Sequence, residues 1–245
     1  VSPRITLAVA GRVLVQLRRD PRTVVLLLVV PCLLLTLLWW MFEDSLGNPF
    51  GRFGPALLAV FPFIVMFLVT SVTTLRERSG GTLERLLAMP MGRLDFLVGY
   101  ALAFGVVAAV QALLAVVVSV GFLDLDIAGS VLLLGLVAVA DAVLGSALGL
   151  FVSAFARTEF QAVQFLPAVV FPQLLLCGLF VGRDALPDVL HAASDVLPLS
   201  YAVDAMTHLT RGTATSDVWL DLLVVAGFAV ASLGLGAATL RRRTP

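Results

Sequence analysis

"TVVLLLVVPCLLLTLLWWMF", Thr23 to Phe42, runs for twenty residues without a charge. Coiled into an α-helix it would be about 30 Å long, which matches the hydrocarbon thickness of a bilayer. It is too long for a cleavable signal, is preceded by residues 1–22, and leads into "WWMFEDSLG" where a small-residue cleavage site would be needed, so it is expected to stay in the mature chain. Five further runs of spanning length follow, at about 53–75, 96–122, 127–155, 160–181 and 218–240. The run at 127–155 exceeds what one span needs and is expected to tilt or break. The chain is 60% hydrophobic and 13% charged, where soluble domains average about 25% charged. The fold class predicted is an all-α integral membrane protein with six transmembrane helices. Residues 1–22 read as a cytoplasmic amphipathic helix and 23–245 as one six-span transmembrane domain with short connections.

All sixteen basic residues are arginine, and their distribution sets the orientation. With both termini cytoplasmic, Arg52, Arg183 and Arg211 fall outside and every other arginine falls inside. The expected location is the plasma membrane, multi-pass. Residues Pro3 to Arg19 suit a helix lying on the membrane, with Arg4, Arg12, Gln16, Arg18 and Arg19 on one arc and Leu7, Val9, Val13, Leu14 and Leu17 opposite. Val15 breaks that pattern. Such a helix can hold anionic lipid or touch a cytoplasmic partner. Asp20 and Pro21 end it.

Pro31, Pro62, Pro167 and Pro172 lie inside predicted spans, and the last two suggest a bent fifth span. Gly145, Gly149 and Ser153 recur every four residues on the fourth span, a small-residue face that lets helices approach closely. Cys32 and Cys177 fall within spans and read as small apolar packers, not as a disulfide or metal site. The outer loop, 182–217, predicts two short helices, one after Pro187 and one after Pro198, the second stopped by Gly212; both would rest at the outer interface or dip into it. His191 and His208 lie outside in no metal-ligand spacing and read as structural.

The most charged internal passage is "TLRERSGGTLERLLAMPMGRLDF", Thr74 to Phe96, which the charge distribution puts in the cytoplasm. Gly80 and Gly81 break the helix of the second span, Thr82 can cap a new one, and Glu84 suits its first turn. Leu83, Leu86 and Leu87 make one apolar stripe before Pro90. So brief a helix needs its stripe buried, either on its own bundle and lipid or in the groove of a soluble partner. A phosphate-binding P-loop needs a lysine. This sequence contains none, so ATP-driven transport would take its energy from another chain.

At these residues the sequence resembles a known family. "RERSGGTLERLLAMPMGRLDFLVGY", Arg76 to Tyr100, resembles the segment after the second span in ABC type-2 exporter permeases, particularly the branch named for daunorubicin resistance. "LLLCGLFVGRDALPDVLHAASDVLPLSYAVDAM", Leu174 to Met206, is similar to that branch's outer loop. The resemblance implies a permease dimer, with itself or a related permease, paired with two cytoplasmic ABC ATPase subunits that bind ATP and Mg; this chain would bind no cofactor, and no nucleic acid. It implies that the helix at Thr82 to Met89 couples to the ATPase, through Thr82, Leu83, Glu84, Arg85, Leu86 and Leu87, with Arg157 and Glu159 as a second contact. It also implies outer helices that close an exit.

Asp141, mid-span, would cost roughly 2.5 to 3.5 kcal/mol if charged and unpaired. Gln111 lies at similar depth and is a candidate partner, and Gln164 lies near the cytoplasmic end of the fifth span with Gln161. Asp141, Gln111 and Gln164 are candidates for a substrate path. An interhelical hydrogen bond and proton coupling are other readings of Asp141. The leading function is the permease subunit of an ATP-driven exporter of an amphiphilic drug, lipid or glycoconjugate. A proton-coupled secondary transporter using Asp141 is the alternative, and an intramembrane serine protease using Ser146 in "LGSALG" is a third.

Overall fold

The computed structural model describes residues 2–45, 49–79, 93–212 and 215–239. Helix α1, Pro3–Arg18, turns at Asp20 into α2, Pro21–Phe42. The corner has a local cause. Asp20 accepts hydrogen bonds from the Thr23 amide at 3.3 Å and hydroxyl at 2.6 Å, and Pro21 occupies a first-turn position whose N–H has no helical partner anyway. The Thr23 bonds also hold the Asp20 carboxyl below its ordinary value. There follow α3, Pro49–Ser79; α4, Arg93–Gly121; α5, Val131–Val152; α6, Glu159–Leu176; a 3-10 turn, Arg183–Ala185; α7, Asp188–Asp195; α8, Pro198–Arg211; and α9, Thr215–Thr239. No strand occurs among the described residues. Among the described residues six helices, α2 to α6 and α9, are long and apolar enough to cross a membrane, as the sequence predicts.

Two predicted spans are shortened by packing. The run at 127–155 condenses into α5, which Ser130 caps by accepting the Leu133 amide at 3.3 Å. The residues before it form a loop whose Leu123 and Leu125 are buried, and whose Ala128 and Gly129 amides donate to the Thr210 and Leu209 carbonyls at the end of α8. Their apolar side chains serve this packing, not a longer span. The fifth run ends at Leu176, shortly before Gly178 takes a left-handed φ of +91°. Pro167 and Pro172 both lie inside α6.

α5 is the centre: 61% of its span is buried, against 17% for α2 and for α6. It shares its most extensive contact with α3, and the two run in the same direction, Gly145 beside Phe63 and Gly149 beside Phe67. A Cβ at either glycine would sit 2.5 Å from a carbonyl oxygen of α3. Without side chains there the backbones touch, which is how helices gain van der Waals contact in lipid.

The outer helices divide. α7 is exposed except for the buried Ser194 and the half-buried His191, whereas α8 buries Leu199, Ala202, Val203, Ala205, Met206 and Leu209 among α3, α5 and α9. Of the two alternatives, resting at the interface or dipping inward, α8 takes the second and packs into the bundle. Gly212 ends it at φ +69°, as the sequence indicates. At the opposite end α1 buries Thr6, Val9, Ala10 and Val13, chiefly against α4, where Gly99 leaves room for Val9. Leu7, expected on the apolar side, is exposed because the docked face is centred on Val9 and Val13.

Gly145→Ala is expected to lower stability by about 1–3 kcal/mol, because the new methyl overpacks a backbone contact. Gly227→Ala on α9, where a Cβ meets nothing within 4 Å, should be neutral or slightly stabilising. Thermal unfolding of both variants in one detergent checks the contrast.

Candidate functional site

Arg76 and Glu77 are successive residues in the last turns of α3, so their side chains leave the helix about 100° apart. Each reaches a different element. The Arg76 guanidinium donates through Nε and Nη2 to the two oxygens of Glu159, at 2.8 and 2.9 Å, joining α3 to the first turn of α6. Glu77 accepts from Arg12 Nη2 on both oxygens, at 3.1 and 3.3 Å, joining α3 to α1. Asp95, at the start of α4, accepts from the Ser2 amide at 2.6 Å and the Thr6 hydroxyl at 3.4 Å.

The two ion pairs differ in worth. Arg76 and Glu159 are both more than half exposed, so water screens them and their pair contributes at most about 1 kcal/mol. Glu77 is 5% exposed. A carboxylate so buried is costly unless paired, which makes Arg12 its necessary counter-charge. Helical periodicity puts Arg12 on the polar arc of α1, facing headgroups. The structure corrects this: Arg12 lies at the edge of the docked face and turns inward to Glu77. The signal that could have shown it is Glu77 itself, an acid inside "LRERS" at the tail of an apolar run.

Thr82, Leu83, Glu84, Arg85, Leu86 and Leu87 lie outside the described residues. Of the second predicted contact, Arg157 is exposed and its amide donates to the Gln161 side chain at 2.8 Å, while Glu159 is held by Arg76. The α5–α6 corner is thereby fastened to the end of α3, a few residues from where the segment 80–92 departs.

The candidate path residues are not brought together. Asp141 is fully buried on α5, and neither carboxylate oxygen has a hydrogen-bond partner among the described residues. The expected bond from Gln111 does not form. The Gln111 amide instead donates to the Leu27 carbonyl at 3.1 Å, tying α4 to α2. Gln164 is exposed, in a groove it shares with Phe155, Arg157 and Gln161 near the α5–α6 corner. Gln173 fixes α8 on α6, donating to the Val169 carbonyl at 3.0 Å and accepting the Leu199 amide at 3.3 Å. The Ser146 hydroxyl donates to the Ala142 carbonyl at 3.0 Å, leaving it unsuited to the nucleophile role. Among the described residues no three His, Cys, Asp or Glu side chains group as a metal site.

Comparison with known proteins agrees with this architecture. Residues 5–210 match the family model described as ABC-2 type transporter. The chain is 28% identical over 191 residues to ABC transporter G family member 20 of Dictyostelium discoideum, covering 75% of this chain and 26% of that protein. It is 26% identical over 191 residues to the probable multidrug ABC transporter permease YbhS of Escherichia coli (strain K12), covering 77% of this chain and 51% of the relative. It is 28% identical over 191 residues to the inner membrane transport permease YhhJ of the same strain, covering 72% and 51%. The chain therefore spans about half, or less, of the length of these curated relatives.

Arg12→Met leaves Glu77 buried without a counter-charge and is expected to destabilise the protein by about 3 kcal/mol. Arg12→Met combined with Glu77→Met should recover most of that loss, and Arg76→Gln should cost less than about 1 kcal/mol. Melting of the three variants in the same detergent distinguishes the buried pair from the screened one.

Proposed function

The chain belongs to the ABC-2 type transporter family, and on that premise we propose that it is the permease subunit of an ATP-driven exporter that moves an amphiphilic substrate outward. It is a multi-pass membrane protein of helical spans, with α1 and the α3–α4 connection on the cytoplasmic side and α7 and α8 outside. Two ABC ATPase subunits bind ATP and Mg, and a second permease, identical or related, completes the transport unit in the plasma membrane. Within the family we assign it to the daunorubicin-resistance-like branch, on the passages Arg76 to Tyr100 and Leu174 to Met206. The substrate is a drug, lipid or glycoconjugate; the description of YbhS as a probable multidrug permease favours the first.

The observation that carries the reading is the pair of clamps at the end of α3. Arg76 holds α6 and Glu77 holds α1 at the root of the segment 80–92. A helix at Thr82 to Met89 pushed by a closing ATPase dimer would pass its displacement into α1, α3 and α6 together. α5, joined to α3 through backbone contact, would follow. Alternating access then amounts to tilting this unit against its counterpart in the second permease. Thr82, Leu83, Glu84, Arg85, Leu86 and Leu87 make the primary ATPase contact in this scheme, Arg157 and Glu159 the smaller one, and Asp141, Gln111 and Gln164 border the substrate path.

A second reading has one observation in its favour. Asp141 is buried without a hydrogen-bond partner among the described residues, an environment suited to a carboxyl that exchanges a proton. Asp141→Asn separates the two, since an ATP-driven exporter keeps nucleotide-dependent transport in this variant while a proton-coupled carrier loses transport altogether. Coupling itself is tested by gentle solubilisation from the native membrane. An ATPase subunit should copurify with the wild type and be released by Leu86→Asp; retention by that variant, or no ATPase with either form, overturns the assignment.

A further inference from the structure

The three arginines that the charge distribution leaves outside come from three separate places in the sequence. Arg52 is at the start of α3, Arg183 in the 3-10 turn and Arg211 at the end of α8. The fold brings all three to the wall of one cavity of about 600 Å3. The chain has two histidines, and both His191 and His208 line it as well. Asp184 and Asp204 are the carboxylates on the wall; Asp217 and Asp221 of α9 do not line it.

Of the three guanidiniums on this wall, Arg183 alone is paired internally. Arg183 is engaged: its guanidinium donates to Asp204, to Asp195 and, through Nε, to the Ser194 hydroxyl at 3.0 Å, and it lies over the Tyr201 ring at 5.1 Å. Tyr201 in turn donates to the Asp195 carbonyl at 2.8 Å, so the arginine is fixed in place. Burial pushes the Asp204 carboxyl above its usual range, against the pull of Arg183. Arg52 and Arg211 have no ion pair among the described residues; Arg52 only leans over the Phe53 ring, at 5.4 Å. The unpaired Arg52 and Arg211 guanidiniums therefore line an open, polar space together with Asp184 and both imidazoles, of which His191 lies 3.6 Å from Asp195, and Gly178 and Gly182 add wall without side-chain bulk. Exposed, unpaired guanidinium groups match the oxygens of a phosphate.

We propose that this cavity, at the α7–α8 end of the bundle, is a binding site for a phosphate-type anion, held by Arg52 and Arg211 with Arg183 as the fixed third side of the cradle. The anion is either the headgroup of a phospholipid-like amphiphile or a soluble phosphate. The inference goes beyond the exporter reading and needs no ATPase for its test.

A single cysteine at position 207 reports on the cavity, since Thr207 lines it. Thr207→Cys is made with Cys32→Ala and Cys177→Ala, and the full chain is placed in phosphatidylcholine nanodiscs. Its labelling by an anionic methanethiosulfonate relative to a cationic one of similar size, each rate referred to that with a free thiol, is expected to be raised severalfold, because guanidiniums outnumber carboxylates on the wall. Arg52→Gln with Arg211→Gln should abolish that preference, and Arg52→Lys with Arg211→Lys should restore most of it, which separates lost charge from lost folding. Protection by inorganic phosphate assigns a soluble anion. Protection only when phosphatidylglycerol replaces part of the phosphatidylcholine assigns a lipid headgroup. Equal labelling by the two reagents on that scale, or no protection by either anion, overturns the proposal.

Discussion

The backbone contact between α3 and α5 is the constraint on which the remaining architecture depends. In lipid, apolar side chains gain nothing by leaving one hydrocarbon surface for another, so helices associate only where close packing or hydrogen bonds reward it. Gly145 and Gly149 supply that closeness, because their hydrogens lie where any side chain would meet the carbonyls of Phe63 and Phe67. With α3 and α5 fixed in this way, α4 and α9 lie against α5, and α2 and α6 lie against α3. α8 then closes the gap left at one end, buried against α3, α5 and α9.

The polar side chains follow from this frame by their depth. At the α1 end, charges reach water or each other, so Arg76 with Glu159 and Arg12 with Glu77 cross-link elements that the spans alone would leave separate. At the α8 end, Arg183 is held by Asp195, Asp204 and Ser194, and the other two outer arginines stand open around the same cavity. Between the two ends some polar side chains are tied to carbonyls: Gln111 to Leu27, Ser146 to Ala142, Gln173 to Val169. Asp141 and the hydroxyls of Thr70, Ser71, Thr74 and Ser119 are buried without a hydrogen-bond partner among the described residues. A bundle cross-linked at both ends and joined by backbone contact in the middle is suited to moving as a unit, which is what the proposed mechanism asks of it.

Spans, caps and corners were legible in the sequence because their causes are local. Twenty uncharged residues must be helical where no water can satisfy the backbone. Asp20 before Pro21, Pro198 opening α8 and Gly212 closing it act within a turn of themselves. The glycine face of α5 was legible as a face, through its spacing, although not as the partner of α3. Three matters depended on position in space. Which face of α1 docks was decided by the fit of Val9 against Gly99, and the inward turn of Arg12 by the burial of Glu77, 65 residues away. Depth along the spans suggested Gln111 for Asp141, yet depth leaves rotation about the helix axis open, and Gln111 turned to Leu27. The gathering of Arg52, Arg183 and Arg211 at one cavity joins residues from three distant parts of the chain, and periodicity carries no information at that range. The sequence by itself determined the elements and the ends at which charge must lie, because hydrogen bonding and solvation act on neighbours along the chain; the tertiary structure alone decided which of those charges meet.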